Sequence, residues 1–210
     1  CWRTYVHMYG SRLLGAFGLS LVVMRALIIV DVQNDFCPGG PLATADGNNV
    51  ARRIATFVKD HGKDYSAVVA TKDWHIDPGE HFSPTPDFLD TWPVHCVANS
   101  DGADFHPMID PSVFDAVFLK GQYTSAYSGF EGATEDGTPL ATWLRDREIT
   151  HVDIAGIATD YCVRATALDA LSEGFTTHVL TDLCAAVAPD TGRAALEELA
   201  AEGANVDKQN

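Results

Sequence analysis

The chain has 210 residues, of which 46% are hydrophobic and 20% charged, a composition typical of a globular domain with one substantial core. Asp and Glu number 29 against 14 Lys and Arg, so the formal net charge is −15 and no basic stripe interrupts the acidic excess. Such a surface repels phosphate backbones, which excludes nucleic acid as an expected partner. A small uncharged molecule is the more compatible ligand.

The N-terminal residues differ in composition from the rest of the chain. Arg3 and Arg12 precede an apolar stretch, but Arg25 and several glycines interrupt that stretch, so no membrane span is expected. We interpret residues 1–23 as an N-terminal extension and residues 24–210 as one domain.

The cysteines indicate a reducing compartment. They lie at positions 1, 37, 96, 162 and 184, an odd and widely spaced set without a CxxC pair. A secreted disulfide scaffold is therefore not expected, and the cytoplasm is the predicted location.

Strands and helices are predicted to alternate along the chain. Continuous apolar runs predict strands at 25–32, 65–74, 115–120, 151–157 and 177–183, and the last residues could hold a sixth. Apolar residues at helical spacing predict helices at 45–61, 139–147, 161–172 and 191–201. This alternation predicts a doubly wound α/β fold, a mostly parallel sheet of five or six strands with helices on both faces.

Four reactive side chains stand at the carboxyl ends of predicted strands, the edge at which open parallel sheets bind ligands. Asp31, Asp73 and Lys120 end the first three strands, and Cys162 follows the fourth where a helix begins. Backbone N–H groups and the helix dipole at such a junction favour a thiolate. We therefore interpret Cys162 as a nucleophile, Asp31 as its base and Lys120 as the group that orients Asp31. A purely structural Lys–Asp ion pair and a buried, inert cysteine are the alternatives.

A second cluster of candidate residues begins at the end of the second strand. Asp73, His75, His81 and His95 fall within 23 residues, in a long aperiodic segment that also contains His106. Imidazoles with a carboxylate suit a divalent Zn²⁺, Mn²⁺ or Fe²⁺ ion. Solvated or turn-capping histidines are the alternative.

Six segments carry a family resemblance, in this order: IIVDVQNDF, TKDWH, GEHF, WPVHC, FLKGQYTSAYSGF and GIATDYCV. From about Met24 to at least Thr191, the chain resembles the nicotinamidase/pyrazinamidase family of the isochorismatase-like cysteine hydrolases. The resemblance implies a catalytic triad of Asp31, Lys120 and Cys162. It also implies that one divalent metal ion (Zn, Fe or Mn) is held by Asp73, His75, His81 and His95.

The same resemblance implies details of the substrate site. The Ile157–Ala158 peptide bond is expected to be cis, and the N–H groups of Ala158 and Cys162 are expected to form an oxyanion hole. The residues expected to contact the substrate are Phe36, Trp92, Tyr127, Ile157 and Tyr161. Tyr161 occupies a position where some relatives have His, which affects only fine substrate contacts.

The activity implied by the resemblance is hydrolysis of nicotinamide, and of pyrazinamide, to the acid and ammonia through a cysteine thioester, in NAD salvage. The alternatives are an isochorismatase, an amidohydrolase of the N-carbamoylsarcosine or ureidoacrylate type, a non-catalytic binding domain, and a redox role for Cys162. The expected partner is a small-molecule substrate rather than a nucleic acid or a membrane, and both a monomer and a homo-oligomer are compatible with the sequence.

Overall fold

A computed structural model describes residues 23–207, so the extension predicted for residues 1–23 lies outside the described residues except for Val23. Within the described range, six parallel strands form one sheet in the order β3-β2-β1-β4-β5-β6. The strands are β1 (Arg25–Val30), β2 (Ala67–Asp73), β3 (Ala116–Lys120), β4 (His151–Ile157), β5 (Thr176–Ala185) and β6 (Asn205–Val206). The predicted α/β class is confirmed, with the sixth strand near the C-terminus.

Helices cover both faces of the sheet. They are α1 (Gly47–His61), α2 (Leu140–Arg145), α3 (Arg164–Ser172) and α4 (Pro189–Ala201). On one face, Val50, Ala51 and Ile54 of α1 pack in the same cluster as Leu27 and Ile29. Helices α2, α3 and α4 contribute to the cluster on the other face.

The residues of β1 explain why its sequence is one apolar run rather than an alternating pattern. Ala26, Ile28 and Val30 lie in the cluster under α2–α4, whereas Leu27 and Ile29 lie in the cluster under α1. All five are fully buried because β1 lies between β2 and β4 with helices on both sides.

The strand order places a cleft at the carboxyl end of β1. The chain runs from β1 outward through β2 to β3, then returns to place β4 on the other side of β1. Loops that follow β1 and β4 therefore diverge, which is where open α/β sheets bind ligands.

Three local features differ from the sequence prediction. Strand β1 ends at Val30 rather than at 32 because Asp31 adopts a left-handed backbone with φ of 49°. The helix predicted from Tyr161 begins instead with a π-helical turn, Thr159–Val163, in which Val163 N–H donates to the carbonyl of Ala158. Short 3₁₀ turns interrupt the long segment after β2, of which Gly79–His81 and Asp101–Ala103 are two.

No helix among residues 23–207 is both long and apolar enough to cross a bilayer.

Candidate active site

Asp31, Lys120 and Cys162 meet at the carboxyl ends of β1, β3 and β4. The Lys120 ammonium lies 2.9 Å from Asp31 Oδ2 and donates to Cys162 Sγ over 3.7 Å and to the Ala126 carbonyl over 3.1 Å. A carboxylate oxygen of Asp31 lies within 4.8 Å of the sulfur. Asp31 and Lys120 are at most 1% exposed, so the amine and the acid lie beneath the thiol rather than in solvent.

Burial and charge determine the protonation of this group. Burial by itself lowers the pKa of Lys120, but the carboxylates of Asp31 and Asp73 hold that pKa well above its usual value. Burial raises the pKa of Asp31 and raises that of the Cys162 thiol, while the Lys120 charge opposes each rise. The resting site therefore holds an ammonium ion and a neutral thiol beside a carboxylate that is a stronger base than an exposed aspartate.

Asp73 connects this group to the histidine cluster. One carboxylate oxygen, Oδ1, accepts a hydrogen bond from Lys120, and the other lies 3.7 Å from His75 Nε2 and 3.9 Å from His95 Nε2. Burial by itself raises the pKa of Asp73, but Lys120 and His75 together hold that pKa below its usual range. Asp73 is therefore an anion that faces a cation on one side and imidazoles on the other.

His75, His81 and His95 form a buried cluster in which one ring nitrogen from each lies within 4.8 Å of the others. His75 Nδ1 is 2.6 Å from the carbonyl of Gly121, and His95 Nδ1 is 2.8 Å from that of Pro93. A carbonyl can only accept, so each Nδ1 is assigned the proton, and each Nε2 keeps a free lone pair.

These residues fit a divalent metal ion. His75 Nε2 and His81 Nδ1 are buried polar atoms without a hydrogen-bond partner in the described part of the chain, and a metal ion would satisfy both. Burial and the neighbouring imidazoles lower the pKa of His81 to about 4, and burial lowers the pKa of His95, so these two imidazoles are neutral at pH 7 and their ring nitrogens can bind a metal ion. Two ligand atoms bonded to one zinc ion stand about 3–4 Å apart, which is the range of the distances from Asp73 Oδ2 to His75 Nε2 and to His95 Nε2.

A cavity of about 460 Å³ opens above these groups, a size suited to a small organic ligand. Its wall includes all five residues expected to contact the substrate, namely Phe36, Trp92, Tyr127, Ile157 and Tyr161. Ala158, Cys162, Asp73, His81 and His95 also line it, whereas Asp31, Lys120 and His75 lie behind the wall. The sulfur and the imidazole cluster thus face one cavity.

Aromatic side chains shape this cavity. Trp92 Nε1 donates to the Tyr127 hydroxyl over 2.9 Å, and the Trp92 ring meets the Tyr161 ring edge-on at 5.3 Å. The rings of Tyr127 and Tyr161 stack with centroids 6.3 Å apart. Flat apolar walls with few polar groups suit an uncharged heteroaromatic ring.

The backbone before Cys162 has the expected cis peptide bond between Ile157 and Ala158. Cys162 lies in the first turn after β4, and Ala158 lines the same cavity as the sulfur. This places the two N–H groups expected to form an oxyanion hole in one short turn.

Several residues of the site were not singled out in the sequence. Gln33 donates to the Asp73 carbonyl over 2.8 Å and accepts from the Asp73 N–H over 2.9 Å, which fixes that backbone from both sides. Thr71 Oγ1 donates to Asp31 Oδ1 over 2.6 Å. Thr71 and Asp73 stand two residues apart on β2, so strand alternation was a signal that could have found Thr71.

The other missed residues come from distant loops. Phe82 packs against the rings of His75, His81 and His95, with centroids 5.1–5.8 Å away. The cavity wall also includes Leu42, Phe88 and Val187, and no periodic signal marks them in the sequence. Their role in the wall comes from loop packing alone.

Known proteins share the sequence pattern and the fold of this chain. The model of the isochorismatase domain matches residues 25–209. The chain is 60% identical over 176 residues to the nicotinamidase/pyrazinamidase of Mycobacterium tuberculosis, an alignment that covers 84% of this chain and 94% of that protein. The chain belongs to the isochorismatase domain family.

Two solved structures share the fold at full length. The pyrazinamidase of Pyrococcus horikoshii in complex with zinc superposes with a TM-score of 0.76 at 36% identity and covers 88% of this chain and 99% of its own. The yeast nicotinamidase bound to the inhibitor nicotinaldehyde superposes with a TM-score of 0.76 at 29% identity, over 89% of this chain and 100% of its own. The family expected from the six sequence segments is confirmed.

Proposed function

We propose that this protein is a nicotinamidase that hydrolyses nicotinamide, and also pyrazinamide, to the carboxylic acid and ammonia, and that it serves NAD salvage in the cytoplasm. One observation carries the proposal: Cys162 lines the same aromatic cavity as His81 and His95 of the imidazole cluster, with Lys120 and Asp31 in reach behind the sulfur. The 60% identity to the nicotinamidase/pyrazinamidase of Mycobacterium tuberculosis supports it. The free thiols of Cys37, Cys96 and Cys184 are compatible with a reducing compartment.

In the acylation half of the reaction, the Asp31 carboxylate accepts the proton of the Cys162 thiol and the sulfur bonds to the carboxamide carbon. The C=O π electrons move onto the oxygen, which accepts hydrogen bonds from the N–H groups of Ala158 and Cys162. Asp31 then gives its proton to the amide nitrogen, the C–N bond breaks and ammonia leaves. The acyl group remains on the sulfur as a thioester.

In the deacylation half, Asp31 again acts as the base. Its carboxylate accepts a proton from water while the water oxygen bonds to the thioester carbon. The C–S bond breaks, Cys162 regains the proton and the carboxylic acid leaves. Lys120 stays protonated throughout and compensates the charge that moves between Asp31 and the sulfur.

The metal ion is proposed to be held by Asp73, His75, His81 and His95. When bound, a Zn, Fe or Mn ion would supply a Lewis acid for the ring nitrogen of the substrate, directly or through water. The unpartnered ring nitrogens of His75 and His81 and the Asp73 anion suit such an ion, and the zinc complex of the Pyrococcus relative supports a divalent metal. The ring itself would lie among Phe36, Trp92, Tyr127, Ile157 and Tyr161.

The test is ammonia release from nicotinamide by the wild-type protein and by Cys162→Ala. Loss of the nucleophile should reduce kcat by about 10⁴-fold or more, because the thioester cannot form. Cys184→Ala is the matched control, since Cys184 is also a free cysteine but does not line the cavity, and it should keep wild-type activity. Wild-type activity in Cys162→Ala, or none on nicotinamide in the metal-loaded wild type, would refute the proposal.

A further inference from the structure

The carboxylate of Asp160 lies close to the nucleophile in sequence but bonds to a different segment. Asp160 stands two residues before Cys162. Its Oδ1 accepts the N–H of Val187 over 3.0 Å, and its Oδ2 accepts the N–H of Ala188 over 3.3 Å and the hydroxyl of Thr191 over 2.5 Å. All three donors belong to the connection between β5 and α4 or to the first turn of α4.

The sequence of α4 explains why it needs an acceptor from elsewhere. Its N-cap residue is Ala188, whose methyl side chain cannot accept a hydrogen bond, and the helix begins with Pro189. Free N–H groups and the positive end of the helix dipole favour a carboxylate at this point. Asp160 therefore places a carboxylate at this end of α4 from the turn that carries the nucleophile, where it accepts the N–H of the N-cap residue Ala188 and the hydroxyl of Thr191.

This contact joins two parts of the cavity wall. Val187 lines the cavity and is 52% exposed, so its own side-chain packing holds it only weakly. Ala158, Tyr161 and Cys162, from the turn that includes Asp160, line the same cavity. The position of Val187 relative to that turn is thus determined largely by the hydrogen bonds to Asp160.

We propose that Asp160 is a positioning residue: its carboxylate holds Val187 against the aromatic cavity and so determines how tightly the substrate ring binds, while it takes no part in bond making. The inference rests on the proposed function for the identity of the substrate. It assigns to Asp160 an effect on KM rather than on kcat.

The experiment is a double-mutant cycle with Asp160→Ala, Val187→Ala and the combined variant, assayed on nicotinamide. Each single variant should raise KM about 5- to 20-fold and leave kcat within about threefold, the pattern expected when ground-state and transition-state binding weaken equally. The combined variant should have the KM of Val187→Ala alone, because no wall residue is left for Asp160 to position. If Asp160→Ala does not fold, Asp160→Asn replaces it, since the amide keeps the volume and one acceptor oxygen.

Asp190→Ala is the matched control. Asp190 is the acidic residue in the first turn of α4, and it pairs with Arg193 on the surface. Its loss removes a negative charge from this end of the helix but keeps the hydrogen bond between Val187 and Asp160. Its KM should equal that of the wild type.

Three results would overturn the inference. The first two concern Asp160→Ala: a lower thermal midpoint with unchanged KM, or a fall in kcat with unchanged KM. The third is a combined variant in which the KM effects of the two substitutions multiply. Inactivity of the wild type would instead refute the proposed function. It would also remove the substrate on which this inference rests, and so overturn both.

Discussion

Replacing the buried Lys120 by Met tests whether its ammonium compensates the charge of the buried carboxylates in the site. The change removes the ammonium 2.9 Å from Asp31 and its bond to Asp73, and leaves two buried carboxylates without their cation. Removing one partner of a buried ion pair typically costs about 3–5 kcal/mol. For a chain of this size that corresponds to a fall in thermal midpoint of about 6–20 °C. Activity should fall about 100-fold or more, because the charge that opposes the raised pKa of the Cys162 thiol is lost.

The assay is the free energy of unfolding from urea titration together with ammonia release from nicotinamide. Lys59→Met is the matched control, because Lys59 is exposed on α1 and its ammonium forms no ion pair among residues 23–207. Its loss should change stability by about 1 kcal/mol or less. Adding Asp31→Asn to Lys120→Met should restore part of the stability and none of the activity. A Lys120→Met protein as stable and as active as the wild type would refute this account of the site.

Three further predictions concern the backbone, the pH dependence of stability and the metal. Gly156→Ala should cost about 3 kcal/mol or more in urea unfolding, since Gly156 has φ of 134° and an added Cβ would lie 2.1 Å from the Val30 carbonyl oxygen; an unchanged midpoint would contradict this. The carboxylates of Asp153, 3.5 Å from the imidazole, and of Asp207, 2.9 Å from it, raise the pKa of His178, so the stability contributed by these contacts is complete at pH 5.5 and declines as pH rises through the raised pKa. The unfolding free energy of the wild type should therefore exceed that of His178→Gln by more at pH 5.5 than at pH 8.5. An equal difference in unfolding free energy at the two pH values would show that the protonated imidazole does not stabilise the fold. Chelator treatment should abolish ammonia release and added Zn²⁺, Mn²⁺ or Fe²⁺ should restore it; full activity with the metal content measured near zero would remove the metal from the proposal.

Much of the fold was predictable because the central strands β1, β2 and β4 are buried on both faces. The run from Ala26 to Val30 is apolar at every position, since alternate side chains enter different clusters of the core. Apolar runs that alternate with amphipathic helices admit few arrangements other than a parallel sheet. The exact strand end was not predictable, because the left-handed backbone of Asp31 leaves no trace in the hydrophobic pattern.

The gathering of the reactive groups was also predictable from the sequence. Parallel strands end at one edge, so side chains at strand ends meet even when they are far apart along the chain, as Asp31 and Lys120 do. The histidines were recognisable from residue type and spacing. Which nitrogen of each ring is free was not, since that depends on carbonyl groups such as that of Gly121 in a separate loop.

The sequence by itself determined the order of strands and helices along the chain. It also determined the edge of the sheet where the reactive side chains lie and their residue types, because these depend on the local hydrophobic pattern and on chain order. Only the tertiary structure decided that Gln33 holds the backbone of Asp73, that Phe88 and Val187 complete the cavity and that Asp160 bonds to the N-cap residue of α4. These contacts join segments 27 or more residues apart through a few hydrogen bonds or loop packing. Such contacts have no period in the sequence, so they exist only once the chain has folded.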